Sequence, residues 1–342
     1  MDFDYIVADP TGNITVLVTS PYTEENRNQI IREAFEKEPS CEQVGFIMPV
    51  DGAPACPDAG KADSAPDSGK TNSDSSLDPR KTIYDTSPNA CKTIRLEMMG
   101  YEFCGHATLS AAAYLAQQNG LADGEEDVFT IDSSGVDGLL DVRLRKLDTM
   151  DNAAYTDPNA SCNKDSDSHI DVLPVYQGTV SMPRPEVDSY QGYPLIRFGG
   201  ISHLIVPSDA FTDEQAESSI REFSAELGVP ALGMMICEEY DRLMAGCVDS
   251  GEPSANCDGT GKPAPTYSNS CDEFTIRPLV YVPGSETLFW EHGCATGSTA
   301  LGWYRYHLDR RNSATEIRQP GGIIRVDIVD GQPQLTGRVV LR

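Results

Sequence analysis

Two cysteines stand where a thiol can act as an acid or a base. Cys104 and Cys294 are each followed by small residues and then by the pattern of an α-helix. A helix N-terminus presents unpaired backbone N–H groups and the positive end of the helix dipole, which favours a thiolate over a free thiol of pKa about 8.5. A lone cysteine is more often a buried structural residue. Because the arrangement occurs twice, about 190 positions apart, the sequence predicts a pair of reactive thiols.

The remaining cysteines give no recognisable site. The chain has ten cysteines but no Cys-x-x-Cys pair, so spacing assembles neither a zinc ribbon nor a thioredoxin-like motif. Four of them, Cys56, Cys91, Cys162 and Cys257, lie in polar segments that cannot supply much core. We therefore expect no metal site.

Composition restricts the partners. The chain has 342 residues (37.1 kDa) and a formal net charge of -27, which repels nucleic-acid phosphates and anionic membrane surfaces. No run approaches the roughly 20 apolar residues of a membrane span, and the acidic start is unlike a secretion signal. These features predict a soluble cytoplasmic protein with a small-molecule ligand. A homodimer is compatible with the sequence, which does not determine the oligomeric state.

Short β-rich runs dominate the chain and predict an α+β fold. Helical patterns are few, and one of them follows each of the two cysteines. They run from Thr23 to Glu36, from Cys104 to Gln118, from Asp213 to Leu227 and from Cys294 to Asp309.

The order of strands and helices repeats, with one cysteine-led helix in each repeat. We predict two halves, residues 1–170 and 171–342, with ligand space between them. Polar segments rich in Pro, Gly, Ser and Asp are predicted to be flexible surface insertions. They cover about 51–92, 147–171 and 249–270.

The residues around both cysteines resemble motifs of the diaminopimelate epimerase and proline racemase superfamily. Residues 104–108 read Cys-Gly-His-Ala-Thr, similar to the proline racemase motif Cys-Gly-His-Gly-Thr. Residues 294–298 read Cys-Ala-Thr-Gly-Ser, similar to Cys-Gly-Thr-Gly-Thr, with Ala295 in place of a glycine. Weaker matches extend the resemblance over nearly the whole chain outside the insertions. They are Gly12-Asn13, Gly200, His203, Ser285-Glu286-Thr287 and Gln319-Pro320-Gly321-Gly322.

The resemblance implies two pseudo-symmetric, barrel-like β-rich halves, each around a central helix, and an enzyme that inverts an amino-acid α-carbon without a cofactor. One cysteine, as thiolate, would remove the α-proton while the other, as thiol, protonates the opposite face. The backbone amides of Gly105, His106, Ala295 and Thr296 would hold the substrate carboxylate and its developing charge. Pyridoxal phosphate would need a Schiff-base lysine, and no lysine stands in a recognisable context.

Further polar residues are candidates for substrate binding, each with a structural alternative. Glu291 is expected either to hold a substrate ammonium or to be a solvated loop carboxylate. Asn13 either reaches the substrate or only stabilises its turn. His106 and His203 either touch the substrate or satisfy local hydrogen bonds. Glu102, two residues before Cys104, is expected to face solvent.

The substrate is less constrained than the reaction. Diaminopimelate epimerases have a Tyr-Glu-Arg-Gly run and a Gly-Asn-Pro-His run, where this chain reads Tyr-Val-Pro-Gly at 281–284 and Gly-Ile-Ser-His at 200–203. The missing arginine and asparagine make diaminopimelate an unsuitable substrate. Histidine, proline and hydroxyproline remain candidates. The Phe-Trp-Glu run at 289–291 looks more like histidine-racemase-type relatives than like proline racemases.

Two alternatives stay open. Superfamily isomerases and lyases use one cysteine or none, whereas this chain keeps both, which favours racemisation or epimerisation. A non-catalytic amino-acid-binding protein on the same scaffold is the other alternative, and the replacement at Ala295 gives it some weight.

Overall fold

The computed structural model of the chain describes residues 2–50, 91–148, 173–245 and 272–342. The predicted insertions at about 51–92, 147–171 and 249–270 lie outside the described residues except at their edges. In the ranges described, no helix has the length and apolar character needed to cross a bilayer.

Strands are the main elements, and helices are few. The strands are β1 (Tyr5–Asp9), β2 (Thr15–Val18), β3 (Gln43–Pro49), β4 (Thr93–Met98), β5 (Glu126–Ser133), β6 (Leu139–Lys146), β7 (Val175–Ser181), β8 (Glu186–Tyr190), β9 (Tyr193–Arg197), β10 (Ser202–Pro207), β11 (Leu232–Cys237), β12 (Asp272–Val282), β13 (Thr287–Trp290), β14 (Ser313–Gln319), β15 (Gly322–Val329) and β16 (Gln332–Leu341). The helices are α1 (Glu24–Lys37), α2 (Gly105–Gln118), α3 (Asp213–Leu227), α4 (Tyr240–Met244) and α5 (Ala295–Asp309).

The first seven strands and β16 close into a ring. Each strand from β1 to β7 pairs with the next, β7 pairs with β16, and β16 pairs back with β1. Helix α2 packs against β2 to β7 and against β16, so it occupies the interior of this ring. Every residue from Gly105 to Ala116 is buried. The alanine-rich sequence of α2 explains the fit, since small side chains let the surrounding strands approach the helix on all sides.

The sheet continues from β16 through β15, β14, β12, β11, β10 and β9 to β8. Helix α5 packs against β9, β10, β14, β15 and β16, while α3 packs against β11 and β12. Strand β11 is buried along its whole length, and its sequence LGMMIC is correspondingly apolar throughout. The two long buried helices that follow the cysteines therefore lie against different parts of one continuous sheet.

The β-rich α+β class is confirmed, and the four predicted helices are found within one residue of their predicted bounds. A turn at Gly200, with φ of 78°, separates β9 from β10. Strand β7 pairs with β6 on one side and with β16 on the other. The equivalence of two halves and the boundary near residue 170 stay predictions.

Candidate active site

Both predicted thiols cap buried helices. Cys104 and Cys294 are the N-cap residues of α2 and α5, with nearly the same extended backbone, φ/ψ of -131°/112° and -128°/106°. Both are free, and they are 6% and 4% exposed. The Cys104 sulfur accepts a hydrogen bond from the Ala107 N–H at 3.4 Å. Each thiol is therefore placed at the positive end of its helix.

The two helix N-termini approach each other through small residues. A Cβ added at Gly105 would lie 3.0 Å from the Ala295 Cβ and 3.1 Å from the Met182 Cε. The Ala295 methyl group, which replaces the glycine of the family motif, therefore lies directly over Gly105. The absence of a side chain at position 105 allows the close approach of α2 and α5.

Substituting Gly105 with alanine is expected to push the two cysteines apart. Overpacking at a rigid contact costs about 1–3 kcal/mol, and a displacement of about 1 Å can lower a catalytic rate roughly a hundredfold. We expect Gly105→Ala to lower kcat/KM at least about tenfold, and Ala295→Gly in the same chain to restore part of it because it removes the opposing methyl. Steady-state kinetics of the single and double variants test this. Equal losses with and without Ala295→Gly would contradict it.

One cavity of about 430 Å³, a volume that includes solvent at its mouth, joins the two thiols. Its polar wall contains three carboxyl side chains and an amide in addition to the cysteines. The lining residues are Glu42, Gln43, Met99, Glu102, Phe103, Cys104, Ile201, Val280, Val282, Thr287, Phe289, Glu291, Cys294, Ala295 and Thr296.

A chain of polar contacts runs between the two thiols. The Cys104 thiol donates to the Gln43 Oε1 at 2.8 Å, and the Gln43 Nε2 donates to the Glu291 Oε1 at 3.0 Å. Burial, followed by the charge of Glu42, raises the pKa of Glu291 to about 8, while the hydrogen bond from Gln43 and the nearby side chains of Cys294 and Asn13 oppose the rise. Glu291 therefore changes its protonation state close to neutral pH.

The thiols are harder to ionise than the sequence predicts. Burial raises the pKa of Cys104 to about 12, and it raises that of Cys294 well above the usual value. The charge of Glu291 adds to both shifts, and hydrogen bonds from the backbone at each helix start oppose them. Desolvation thus outweighs the helix N-terminus, which corrects the expectation of a lowered thiol pKa. Both cysteines are therefore protonated until one of them loses its proton to solvent or to another group in the cavity.

Two buried oxygens beside this chain have no donor. The Asn13 Nδ2 donates to the Glu42 Oε2 at 2.9 Å, and Glu42 also pairs with the ring of His292. Within the described part of the chain, the Asn13 Oδ1 and the Glu291 Oε2 are buried without a hydrogen-bond partner. Such acceptors are costly unless a donor arrives. The Glu291 Oε2, on the cavity wall, is therefore an acceptor for a substrate group with N–H donors, such as an ammonium, while Asn13 lies behind the wall.

The two histidines are held in the interior as neutral rings. The His203 Nε2 lies 2.8 Å from the Thr296 Oγ1, which in turn lies 3.7 Å from the Cys294 sulfur. Burial lowers the pKa of His203 and that of His106 to about 3 in each case. His203 therefore acts on Cys294 only through Thr296. Neither histidine lines the cavity.

Five of the nine predicted site residues are brought to the cavity wall: Cys104, Cys294, Glu291, Ala295 and Thr296. The other four lie behind it: Asn13, Gly105, His106 and His203.

Sequence reasoning misplaced one residue of the wall and missed two others. Glu102 does not face solvent as expected, because it is 4% exposed and lines the cavity. Glu42 and Gln43 were not singled out, although both are buried. The signal available for them was a pair of polar residues at the start of the apolar strand β3.

The paired cysteine caps and the chain comparisons define the class of protein as the superfamily of racemases that contains diaminopimelate epimerase and proline racemase. Within it, the chain belongs to the family described as the histidine racemase CntK N-terminal domain, whose sequence model matches residues 83–249 and 267–337. The chain is a racemase-type isomerase.

Curated relatives match over most of their length. A histidine racemase of Fusobacterium nucleatum subsp. nucleatum is 24% identical over 344 residues, which cover 98% of this chain and 93% of the relative. A histidine racemase of Staphylococcus aureus is 22% identical over 325 residues, covering 93% and 85%. The crystal structure of a methylitaconate-delta-isomerase matches with 10% identity and a TM-score of 0.42, covering 100% of this chain and 93% of that one.

Proposed function

We propose that the protein is a cofactor-independent histidine racemase that inverts the α-carbon with Cys104 and Cys294. The observation that carries the proposal is that two helix-capping thiols line one cavity together with the carboxyl of Glu291. The names of the relatives from Fusobacterium nucleatum and Staphylococcus aureus support histidine as the substrate.

The reaction moves two protons and leaves the enzyme with the proton on the other sulfur. One thiolate takes the α-proton and becomes a thiol, the α-carbon becomes planar, and the opposite thiol delivers its proton to the other face. Negative charge spreads onto the substrate carboxylate during this step. The backbone amides at the starts of α2 and α5, those of Gly105, His106, Ala295 and Thr296, are the groups suited to hold that charge.

Glu291 is the group that can supply the thiolate. It lines the cavity together with Cys294, and as the pH rises through its pKa of about 8 it becomes a carboxylate that can take the thiol proton when a bound substrate stabilises the thiolate. Cys104 meanwhile donates to the Gln43 amide oxygen, as a thiol must. This state holds one thiolate and one thiol, which is what two-base inversion requires. A substrate ammonium near the Glu291 Oε2 would stabilise the negative charge that this transfer places on the Cys294 sulfur.

The acidic wall favours a substrate that brings donors and positive charge. Glu42, Glu102 and Glu291 line the cavity, and no Lys, Arg or His is among the described lining residues. Histidine offers an imidazole N–H in addition to its α-ammonium, whereas proline and hydroxyproline offer no nitrogen beyond the α-position. The absence of a lining lysine also leaves pyridoxal phosphate without a Schiff-base partner in the described wall.

The proposal is tested by chiral analysis of the purified protein with L-histidine and, separately, with D-histidine, in the presence of hydroxylamine to trap any pyridoxal phosphate. We expect both reactions to converge on equal amounts of the two enantiomers. Inversion of proline or hydroxyproline in preference to histidine would overturn the substrate. Release of ammonia or water would indicate a lyase, and binding without inversion would indicate a non-catalytic binding protein.

A further inference from the structure

Glu102 is a buried carboxyl that the main chain accommodates. Its Oε2 accepts a hydrogen bond from the Gly100 N–H at 2.8 Å. A Cβ added at Gly100 would lie 2.6 Å from that oxygen and 2.4 Å from the Val282 Cγ1. Because Gly100 has no side chain, the Glu102 carboxyl can pack beside Val282.

Glu102 forms no ion pair within the described ranges. The charge of the buried Arg27 opposes the rise of its pKa without a direct contact between the two side chains. The guanidinium of Arg27 donates to the carbonyls of Met98 and Met99 and stacks on the rings of Phe46 and Tyr101. Burial accordingly raises the pKa of Glu102. A buried carboxyl without an ion-pair partner costs stability unless a donor from outside reaches it.

Glu102 lines the same cavity as both thiols but has no task in the inversion step. In the proposed mechanism the α-carboxylate is held by the two helix starts and the α-ammonium by the unpaired oxygen of Glu291. The cavity wall also carries the apolar side chains of Val280, Val282 and Phe289. Apolar side chains together with the Glu102 carboxyl suit a flat ring that carries an N–H donor.

We propose that Glu102 selects the side chain of the substrate by accepting a hydrogen bond from an imidazole N–H. This inference rests on the proposed function, because it names the contact that distinguishes histidine from other amino acids in the same cavity. A site that offers a hydrogen-bond acceptor rejects substrates without a matching donor, because the acceptor is then left buried and unpaired.

The test compares the wild type with Glu102→Gln, an isosteric change that weakens the acceptor. The substrates are L-histidine, its two ring-N-methyl derivatives, and L-alanine, which has no side-chain donor. We expect kcat/KM for histidine to fall at least about tenfold through a higher KM, and the preference for histidine over the methylated ring to shrink by a similar factor. The α-proton exchange of alanine should stay within about threefold.

Controls separate recognition from folding. Glu24→Gln removes an exposed carboxylate that accepts a hydrogen bond from the hydroxyl of the neighbouring Tyr101. It should leave the ratios of kcat/KM among the tested substrates unchanged. Glu102→Asp keeps the carboxylate but shortens the side chain by one methylene. Its preference for histidine over the methylated ring should lie between those of the wild type and Glu102→Gln. Equal losses for histidine and alanine, or an unchanged preference for histidine in Glu102→Gln, would overturn the role of Glu102.

Calorimetric binding of L-histidine distinguishes this inference from the proposed function. If the wild type binds histidine without inverting it, the proposed function fails, while about tenfold weaker binding to Glu102→Gln still supports the contact. If the wild type inverts histidine and Glu102→Gln binds it equally well, only the contact is wrong. A wild type that does not bind histidine overturns both.

Discussion

Replacing either Cys104 or Cys294 with alanine is expected to lower the rate of histidine racemisation at least about a thousandfold in both directions. Each thiol serves as the base for one enantiomer and as the acid for the other, so the loss of either stops both directions. Slow α-proton exchange should persist, but on one enantiomer in Cys104→Ala and on the opposite enantiomer in Cys294→Ala. Proton NMR in heavy water with each pure enantiomer measures this directly.

The matched control is Cys237→Ala. Cys237 is a buried free cysteine at the end of β11, and it does not line the cavity. We expect its replacement to leave kcat within about twofold of the wild type after any change in stability is allowed for. Substantial racemisation by either Cys104→Ala or Cys294→Ala, or exchange on the same enantiomer in both, would contradict the assignment of the thiols to opposite faces.

Glu291→Gln is expected to make the protein more stable at pH 8 and nearly inactive. The pKa of Glu291 is raised from 4.5 to about 8, so the folded chain holds the proton more tightly than the unfolded chain does. The wild type therefore loses stability relative to Glu291→Gln as the pH rises from about 4.5 to about 8, and the difference is constant above that window. One pKa unit corresponds to about 1.4 kcal/mol, which gives a gain of up to about 5 kcal/mol for a shift of this size.

The activity of Glu291→Gln should fall, although its stability rises. A glutamine cannot take the proton of Cys294 or hold an ammonium by charge, so kcat/KM should fall at least about a hundredfold. In the wild type, kcat/KM should rise with pH through an inflection near 8, the pKa of Glu291, and this inflection should vanish in Glu291→Gln. Such opposed effects are typical of a residue kept for function at a cost in stability.

Urea unfolding at pH 4.5, 6 and 8 measures the stability of Glu291→Gln against that of the wild type. The exposed Glu36→Gln, the same chemical change on the surface of α1, should show no pH-dependent difference. A stability gap for Glu291→Gln that does not grow between pH 4.5 and 8 would contradict a buried carboxyl that is neutral at low pH.

Local pattern was sufficient to predict four of the five helices in the described ranges, all but the short α4, and the two cysteine caps. Small residues follow Cys104 and Cys294 directly, and the periodicity of the helices is unbroken to Gln118 and Asp309. These features depend only on residues that are adjacent in the sequence, so a single sequence is enough to predict them. The contact between Gly105 and Ala295 was not predicted, although it fits the rule that helices approach closely where side chains are small.

The carboxyl wall of the cavity could not be predicted, because burial depends on residues distant in sequence. Glu102 is buried where the turn at Gly200 and the strand containing Val282 meet it. Gln43 joins Cys104 to Glu291 across 61 and 248 residues of sequence. The predicted direction of the thiol pKa shifts was wrong for the same reason. The helix N-terminus can be recognised in the sequence, whereas the desolvation cannot.

The most direct measurement is the position of solvent deuterium during the first few per cent of the conversion of L-histidine in heavy water. If two thiols act on opposite faces of one α-carbon, the D-histidine formed carries deuterium at that carbon, and the remaining L-histidine carries none. D-Histidine that keeps the original α-hydrogen, or label that enters both enantiomers equally from the start, would contradict the two-thiol mechanism.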